Sequence, residues 1–284
     1  MIAVKLEGRL GNQLFQYAFI YSAAKKINTS FYLDQSIDHL KLSKYFEIEK
    51  GFCPFLDDHI FSIKGYKNLF SHYLRRYYYY FLKQILSLKE VAFSNNLLPA
   101  VQSHMIKNGC IYTGFFQSEE YFSFYKDDIK KQFIIRENHR RAFDALFSTL
   151  PFAPRYIVIH IRRGDYLSHN YALPSSYYHN AIKRIHNDEN YYIFISDDVA
   201  FVEAEFAYLS NIYISASDEI IDFQFLINAD ICILSNSSFS WWGAFLNNKL
   251  NKIVYAPKNW LGFKEDKEQP VRVTQKEWNL LKIK

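Results

Sequence analysis

Short apolar runs alternate with segments of helical periodicity along most of the chain. The run IAVKL at residues 2–6 predicts a strand, and residues 12–27 follow with apolar side chains every three or four positions, which predicts a helix. The run FYLD at residues 31–34 predicts the next strand. A strand, a helix and a strand in this order are typical of a parallel sheet. Residues 40–110 show a helical but irregular pattern.

The second half of the chain repeats the alternation more regularly. The predicted strands cover residues 156–161, 191–196, 212–215, 231–235 and 253–256, and helices are predicted at 175–187 and 220–228. Before them, residues 133–150 have helical spacing, which the prolines of PFAPRY then interrupt near 151–155. We therefore predict an α/β fold with domains of residues 1–150 and 151–284. These would form two Rossmann-like halves that face each other across a central cleft.

Composition and charge narrow the functional classes. With 284 residues and 49% apolar residues, the chain can bury a large core. Its net charge of +5 is too modest to predict nucleic-acid binding, and the lack of a GxxxxGK[ST] motif argues against a P-loop kinase. Cys53, Cys110 and Cys232 are widely separated, so we expect a reducing compartment, no disulfide framework and no structural zinc.

The sequence predicts no membrane span and leaves peripheral membrane contact as an alternative. Residues 1–13 carry no secretion signal, and no uninterrupted apolar run reaches about 18 residues, so we expect a cytoplasmic protein without a membrane span. Residues 71–86 are aromatic and basic. An amphipathic helix packed on the core is the favoured interpretation, and peripheral contact with the inner face of the membrane is the alternative.

The strand-end rule for parallel sheets selects three loops, at residues 162–168, 196–199 and 235–240. We expect the first and the third to bind the ligand. Arg162 and Arg163 directly follow an apolar strand, and guanidinium groups bind phosphate oxygens in a fork. One arginine is expected to face the cleft and the other to brace the loop, with Asp165 as the partner. The alternative is that both arginines pair with surface acids.

Polar residues at three helix starts add candidates. Asn236, Ser237 and Ser238 precede an aromatic helix, where hydroxyl groups and free N–H groups suit an anion, although an ordinary serine cap is the alternative. Asp222 can accept two hydrogen bonds from guanine or can act as a first-turn acid. Asn12, in the loop GRLGNQ, is either the helix cap or an amide that faces the cleft.

The six segments GRLGNQLFQYA, GFFQSEEYF, HIRRGDY, FISDD, SNSSFSWWGAFL and APKNW resemble, in this order, the bacterial α-1,2-fucosyltransferases of glycosyltransferase family 11. The resemblance implies a GT-B-like fold, with an acceptor-side domain at 1–150 and a GDP-fucose-binding domain at 151–284. It also implies inverting transfer of L-fucose from GDP-β-L-fucose to O2 of a galactose, without a metal or other cofactor. Arg9 and Phe245 depart from the family pattern without changing this expectation.

The resemblance also implies roles for individual residues. Arg162 would bind the β-phosphate, His160 and Asp222 the guanosine, Ser237 and Ser238 the diphosphate, and Asn12 would lie near the fucose and the acceptor. Arg163 and Asn236 complete the expected donor site, and Glu7 and Gln117 are candidates for the acceptor site or the base. The base itself stays open between Asp165, Glu7 and His160, which could equally be an arginine brace, a surface acid and a strand histidine.

The expected function is therefore a galactoside α-1,2-fucosyltransferase of surface polysaccharide or O-antigen synthesis. Its acceptor would be a galactose-terminated glycan or a lipid-linked oligosaccharide. The alternatives are a fucosyltransferase of another linkage and a non-catalytic module that binds a guanine nucleotide or a carbohydrate.

Overall fold

A computed structural model describes residues 1–52 and 69–283 and divides the chain into two compact units, Met1–Ile134 and Ile135–Lys284. Each unit is built on a sheet whose described strands are all parallel. Such sheets are covered by helices, because parallel strands need crossover connections.

The first unit contains a sheet of four described strands in the order β2-β1-β4-β3. The strands are β1 (Ile2–Lys5), β2 (Phe31–Asp34), β3 (Lys89–Ala92) and β4 (Cys110–Thr113), and the described helices are α1 (Leu10–Lys26), α2 (Leu42–Tyr45), α3 (Leu69–Ile85), α4 (Pro99–Ser103) and α5 (Lys126–Gln132). Helix α1 is buried along 14 of its 17 residues, because it is apolar almost all round. In α3, Tyr79 packs against Ala3, Tyr32 and Ile111 of the sheet.

The second unit contains a sheet of six described strands in the order β10-β9-β8-β5-β6-β7. The strands are β5 (Tyr156–Ile161), β6 (Tyr191–Ser196), β7 (Ile212–Ser215), β8 (Ile231–Ile233), β9 (Ile253–Pro257) and β10 (Asn279–Leu281). The helices are α6 (Glu137–Phe147), α7 (Gly164–Ser168), α8 (Ser175–Ile185), α9 (Val199–Glu205), α10 (Glu219–Asn228) and α11 (Ser238–Leu246). The core contains strand residues such as Ile159 and Phe194, packed with Tyr177 of α8.

The division between the units lies earlier than the predicted boundary near 151–155. Helix α6 belongs to the second unit, because Phe143 packs edge-on against Phe225 of α10 with ring centres 5.1 Å apart. Gln224 of α10 also donates to the carbonyl of His139 in α6 at 3.1 Å. The prolines end the helical pattern after α6, whereas the division between the two units lies before α6.

Helix α3, predicted from residues 71–86, presents two different faces. Tyr79 is buried and Tyr78 and Leu82 are partly buried on the sheet, as the favoured interpretation expects. Other large side chains of the helix, including Leu74, Phe81 and Ile85, are exposed. Within the part of the chain that the structure describes, no helix combines the length and the apolar character that crossing a membrane requires.

Candidate active site

Three neighbouring strands of the second unit end side by side. Strand β5 pairs with β6 on one side and with β8 on the other, both in parallel. The loops that follow them, at residues 162–168, 196–198 and 234–237, therefore meet at the carboxyl edge of the sheet. This edge is where ligands bind in open parallel sheets.

Arg162 is held between two carboxylates. Its Nη2 lies 2.5 Å from Oδ1 of Asp165, and its Nη1 lies 2.6 Å from Oδ2 of Asp197. The sequence left Asp165 as either a brace for an arginine or the catalytic base, and the structure shows the bracing contact. A guanidinium carries five N–H donors, so these two contacts leave donors for a further anion.

The second loop supplies the carboxylates that organise the first. Besides Arg162, Asp197 accepts the backbone N–H groups of Arg163 at 2.8 Å and of Gly164 at 3.2 Å through Oδ1. Asp198 accepts from Nε of Arg163 at 2.9 Å, and this hydrogen bond lowers the pKa of the Asp198 carboxyl. Arg163 also stacks over the ring of Phe201 at 3.6 Å. Arg163 therefore lies against helix α9.

Sequence reasoning set this loop aside in favour of the other two. The sequence FISDD does place two carboxylates directly after a predicted strand. The structure adds that this strand, β6, pairs with β5, which ends in the two arginines. Arginine and carboxylate side chains at neighbouring strand ends form charge-assisted hydrogen bonds, which fix their orientation. Asp197 and Asp198 therefore join the site as positioning residues.

Tyr166 connects the first loop with the third. Its hydroxyl donates to the carbonyl of Asn236 at 3.3 Å and also hydrogen-bonds Ser237. Its ring lies 5.6 Å from the guanidinium carbon of Arg162. Burial raises the pKa of Tyr166 to about 12, so the phenol stays protonated at neutral pH. Arg162 and Ser237 consequently border one side chain, as the proposal of a shared diphosphate site requires.

The third loop leads into α11 through a serine cap. Ser237 is the N-cap residue, and its Oγ accepts the N–H of Phe239 at 3.4 Å, which is the ordinary capping alternative. The side-chain amide of Asn236 donates to the carbonyl of Tyr171 at 2.9 Å. Ser238 is the first residue of the helix. Nine residues of α11 direct their peptide dipoles so that positive potential lies at this end.

His160 is buried on β5, with 6% of its surface exposed. Burial and the neighbouring charge of Arg162 lower the pKa of His160 to about 3, so the imidazole is neutral at physiological pH. Its ring lies 5.5 Å from that of Phe239, and among the described residues its Nδ1 has no hydrogen-bond partner. A group with so low a pKa is a weak base, which disfavours His160 as the catalytic base and leaves the nucleoside contact as its predicted role.

Asp222 lies in the first turn of α10, as predicted. The hydroxyl of Ser215 at the end of β7 donates to its Oδ1 at 2.5 Å. Burial nevertheless raises the pKa of Asp222 to about 6. A carboxyl group with this pKa ionises close to neutrality, so a partner that donates hydrogen bonds to it would stabilise the ionised form.

The remaining candidates belong to the first unit. Helix α1 begins at Leu10 with Arg9 as the N-cap, so Asn12 lies inside the first turn and is not the cap. Its Oδ1 accepts from Nε2 of Gln117 at 2.8 Å, which brings two predicted residues together. Glu7 is exposed. The predicted position of Asn12 opposite Arg162 stays a prediction, since the two residues belong to different units.

Metal binding finds no candidate ligand set in residues 1–52 and 69–283. No group of three or more His, Cys, Asp or Glu side chains is arranged there to hold a metal ion.

Comparisons with known proteins agree with these features. A family model described as glycosyl transferase family 11 matches residues 1–282. The O-antigen biosynthesis glycosyltransferase WbnK of Escherichia coli is 30% identical over 90% of this chain and 93% of that protein. An alpha-1,2-colitosyltransferase of Escherichia coli is 29% identical over 92% of each chain.

A solved structure extends the comparison to the fold. The crystal structure of NodZ alpha-1,6-fucosyltransferase soaked with GDP-fucose matches 86% of this chain and 92% of its own, with a TM-score of 0.53 and 13% identity. At this identity the likeness shows a shared fold. It confirms the predicted GT-B-like α/β class.

Proposed function

Because the chain belongs to glycosyl transferase family 11, we propose that it transfers L-fucose from GDP-β-L-fucose to O2 of a galactose residue. The observation that carries the proposal is the placement of Arg162 beside Tyr166, which also contacts the cap of α11. A guanidinium and a helix N-terminus together form an anion site suited to a diphosphate.

The reaction is a single displacement at the anomeric carbon of fucose. The acceptor oxygen forms the new C–O bond as the bond to the diphosphate breaks, which inverts the configuration, and the proton of the acceptor hydroxyl passes to a base or to solvent. Negative charge then grows on the leaving GDP. The free N–H groups of Arg162 and the amide and hydroxyl groups of Ser237 and Ser238 stabilise this charge, so no metal ion or other cofactor is required.

Donor binding depends on how the carboxylates around Arg162 respond. Asp197 is fixed by three hydrogen-bond donors, two of them backbone N–H groups. The side chain of Asp165 is 45% exposed and can turn toward solvent when the diphosphate approaches. Asp222 accepts the N1 and N2 hydrogens of guanine, and neutral His160 contacts the nucleoside. Arg163 and Asn236 hold the loops that carry these groups.

The acceptor is a galactose-terminated glycan, and O-antigen synthesis is the setting that the name of a relative supports. Asn12 and Gln117 orient the acceptor through their linked amides. Glu7 is the preferred candidate base, because it is exposed and the carboxylate of Asp165, although also exposed, is engaged by Arg162. A transition state with strong positive charge on the sugar would need little help from a base.

The protein acts in the cytoplasm, at the inner face of the membrane, where a lipid-linked oligosaccharide would be presented. Helix α3 supports this location, because Leu74, Phe81 and Ile85 are exposed on a helix without acidic residues. Such a helix suits anionic lipid headgroups. Sedimentation with phosphatidylglycerol vesicles should be reduced by Phe81→Ser, and equal sedimentation of both proteins would contradict the contact.

A test of the activity incubates the protein with GDP-fucose and a panel of galactose-terminated glycans, and reads the linkage by NMR. Arg162→Ala should lower the rate by about 10²–10³ at saturating acceptor while the protein stays folded, since such losses follow removal of one pre-organised donor. A near-normal rate for the variant would reject the role of Arg162. Binding of GDP without any transfer would favour a non-catalytic binding module.

A second donor sugar is favoured by one specific observation. A relative of nearly equal identity is named as an alpha-1,2-colitosyltransferase. The same panel should therefore be run with GDP-colitose. A higher kcat/KM for that donor would replace fucose by colitose as the transferred sugar and leave the site and mechanism unchanged.

A further inference from the structure

A pocket of about 480 Å³ opens in the first unit, where strands β1 and β2 end and helix α3 crosses the sheet. Lys5 and Asp34, the last residues of these two strands, form its floor, and they are neighbours in the register of the sheet. Tyr79 and Tyr80 of α3 form one wall. The volume lies within the range of sites for small ligands, and the position at a carboxyl edge is the common one in parallel sheets.

The polar groups of this pocket are fixed before any ligand arrives. Glu90 of β3 accepts from Lys5 through Oε1 and from Lys83 of α3 through Oε2, both at 2.8 Å. These hydrogen bonds lower the pKa of the Glu90 carboxyl, so it is ionised at neutral pH. The lysine on the strand and the lysine on the helix are thus tied to one carboxylate.

Asp34 is the unusual residue of the pocket. It is only 2% exposed, and its Oδ1 accepts the backbone N–H of Ser36 at 2.8 Å. Burial raises the pKa of this carboxyl, so the chain compensates its desolvation incompletely. A buried carboxyl of this kind costs stability relative to an apolar side chain, and such costs concentrate where a ligand is bound.

The mixture of charges defines the ligand class. The carboxylates of Asp34 and Glu90 disfavour an anion, and the cations Lys5, Lys83 and Arg76 disfavour a cation. A neutral molecule rich in hydroxyl groups can donate to the former and accept from the latter. Tyr80 is 59% exposed and offers an aromatic surface and a hydroxyl at the rim. A pyranose sugar has both the hydroxyl groups and an apolar C–H face.

We infer that this pocket binds a sugar residue of the acceptor glycan. The inference deepens the proposed function and rests on it for the identity of the glycan. It assigns the choice of acceptor in part to the first unit, through residues that the sequence did not single out.

The test compares two tyrosines of the same helix. Tyr80→Ala removes the rim of the pocket, and Tyr77→Ala is the matched control, since Tyr77 is 66% exposed and does not line the pocket. Arg76→Ala is a second pocket variant. All three residues are exposed, so the variants should fold. Acceptor KM, donor KM and kcat are measured with the best glycan of the galactose-terminated panel, in the absence of lipid.

Tyr80→Ala and Arg76→Ala should each raise the acceptor KM about tenfold, which corresponds to about 1.4 kcal/mol of lost binding. The donor KM and kcat should stay within about twofold, and Tyr77→Ala should match the unmodified protein. Saturation-transfer NMR with the same glycan, in the absence of donor, should show the same loss of binding in the two pocket variants.

The two hypotheses fail in different ways. Unchanged acceptor KM and unchanged glycan binding in both pocket variants would overturn the sugar site while transfer from GDP-fucose still stands. If no glycan of the panel binds the protein, the sugar site is overturned as well. Glycan binding that is lost in Tyr80→Ala but kept in Tyr77→Ala, in a protein without transferase activity, would retain the sugar site and reject the proposed function.

Discussion

Asp165 and Asp197 share the guanidinium of Arg162, but the chain holds them with different firmness. Asp197 also accepts two backbone N–H groups, and a Cβ added to Gly164 would approach its Oδ2 to 2.6 Å. Asp165 sits one turn from Arg162 in a short helix, and its side chain is more exposed than that of Asp197, at 45% against 27%. Substitution of Asp197 should therefore affect GDP binding and kcat more than substitution of Asp165.

Asp165→Asn separates the roles of brace and base. If Asp165 only braces Arg162, the variant should bind GDP as tightly as the unmodified protein or more tightly, since one negative charge near the diphosphate is removed. Its kcat should then stay within about threefold of the unmodified value. A general base would cost about 10²–10⁴ in kcat. Calorimetric titration of GDP and the rate at saturating substrates distinguish these outcomes.

Asp197→Asn is the partner experiment. It removes the charge that positions Arg162 and weakens the anchor of the loop, so we expect GDP affinity and kcat both to fall by about tenfold or more. Asp198→Asn, which alters the contact with Arg163 and the cap of α9 but leaves both carboxylate partners of Arg162 in place, serves as the control of similar chemistry and should have the smaller effect. Equal behaviour of the three variants would contradict the assignment of Asp197 as the positioning residue.

Asp222 gives the site a pH dependence with a defined sign. Its folded-state pKa of about 6 lies above the ordinary value of 3.8, so the group's contribution to the free energy of unfolding falls as pH rises from about 4 to about 6. In the proposed donor complex it is the ionised form that accepts the guanine hydrogens. The Kd for GDP-fucose should therefore be about tenfold higher at pH 5 than at pH 7.

GDP-fucose is the right ligand for this measurement, because its diphosphate diester does not titrate in that range, unlike the terminal phosphate of GDP. Asp222→Asn should flatten the profile between pH 5 and pH 7. A profile that keeps its slope in the variant would assign the titration to another group.

At the scale of secondary structure elements, the turn between β1 and α1 depends on one glycine. Gly8 has a φ of +86°, its N–H donates to Asp38 at 2.7 Å, and a Cβ there would approach Nδ2 of Asn12 to 2.5 Å. The left-handed conformation disfavours any residue other than glycine, and the close approach would force the amide of Asn12 to shift. The turn thus fixes the amide of Asn12 at the beginning of α1.

Gly8→Ala should lower the free energy of unfolding by about 1–3 kcal/mol, the usual cost of a non-glycine residue in such a conformation. Urea unfolding measures the change. Arg9→Ala is the control, since Arg9 is exposed and makes no capping contact, and should stay within about 0.5 kcal/mol. A stability of Gly8→Ala within that same interval would show that the turn relaxes freely.

The elements show where sequence reasoning works and where it stops. Strands β5, β6 and β7 begin and end at the predicted residues, because their apolar runs are bounded by polar residues on both sides. The edge strands β3 and β10 were not predicted: β3 is mostly exposed and β10 has three residues, so neither carries a clear apolar pattern. Helix α1 starts two residues before the prediction, because Asn12 resembles a cap without being one.

At the scale of the molecule, the order of the loops could be predicted but their cross-links could not. The strand-end rule brought residues 162 and 237 to one edge, whereas the contacts of Asp197 with Arg162 and of Tyr166 with Asn236 depend on which strands are neighbours. A single sequence does not state which strands are neighbours in the sheet. The family resemblance is confirmed by the match of the family model to residues 1–282, whereas the fucose donor and the linkage stay predictions.

The division into two units gives the last prediction. The proposed donor residues lie in Ile135–Lys284, whereas Asn12 and Gln117 lie in Met1–Ile134. GDP at 100 times its Kd should stabilise the folded protein by about 2.7 kcal/mol, since it binds the native state alone. This stabilisation should persist in excess EDTA, because the proposed site has Arg162 and the N-terminus of α11 contact the diphosphate without a metal ion. Hydrogen exchange with GDP should show protection in the loops at 162–168, 196–198 and 234–237 rather than around Gln117.

A thermal shift that EDTA abolishes would instead require a metal ion between the protein and the diphosphate, and Arg162→Ala would then retain most of the metal-dependent shift.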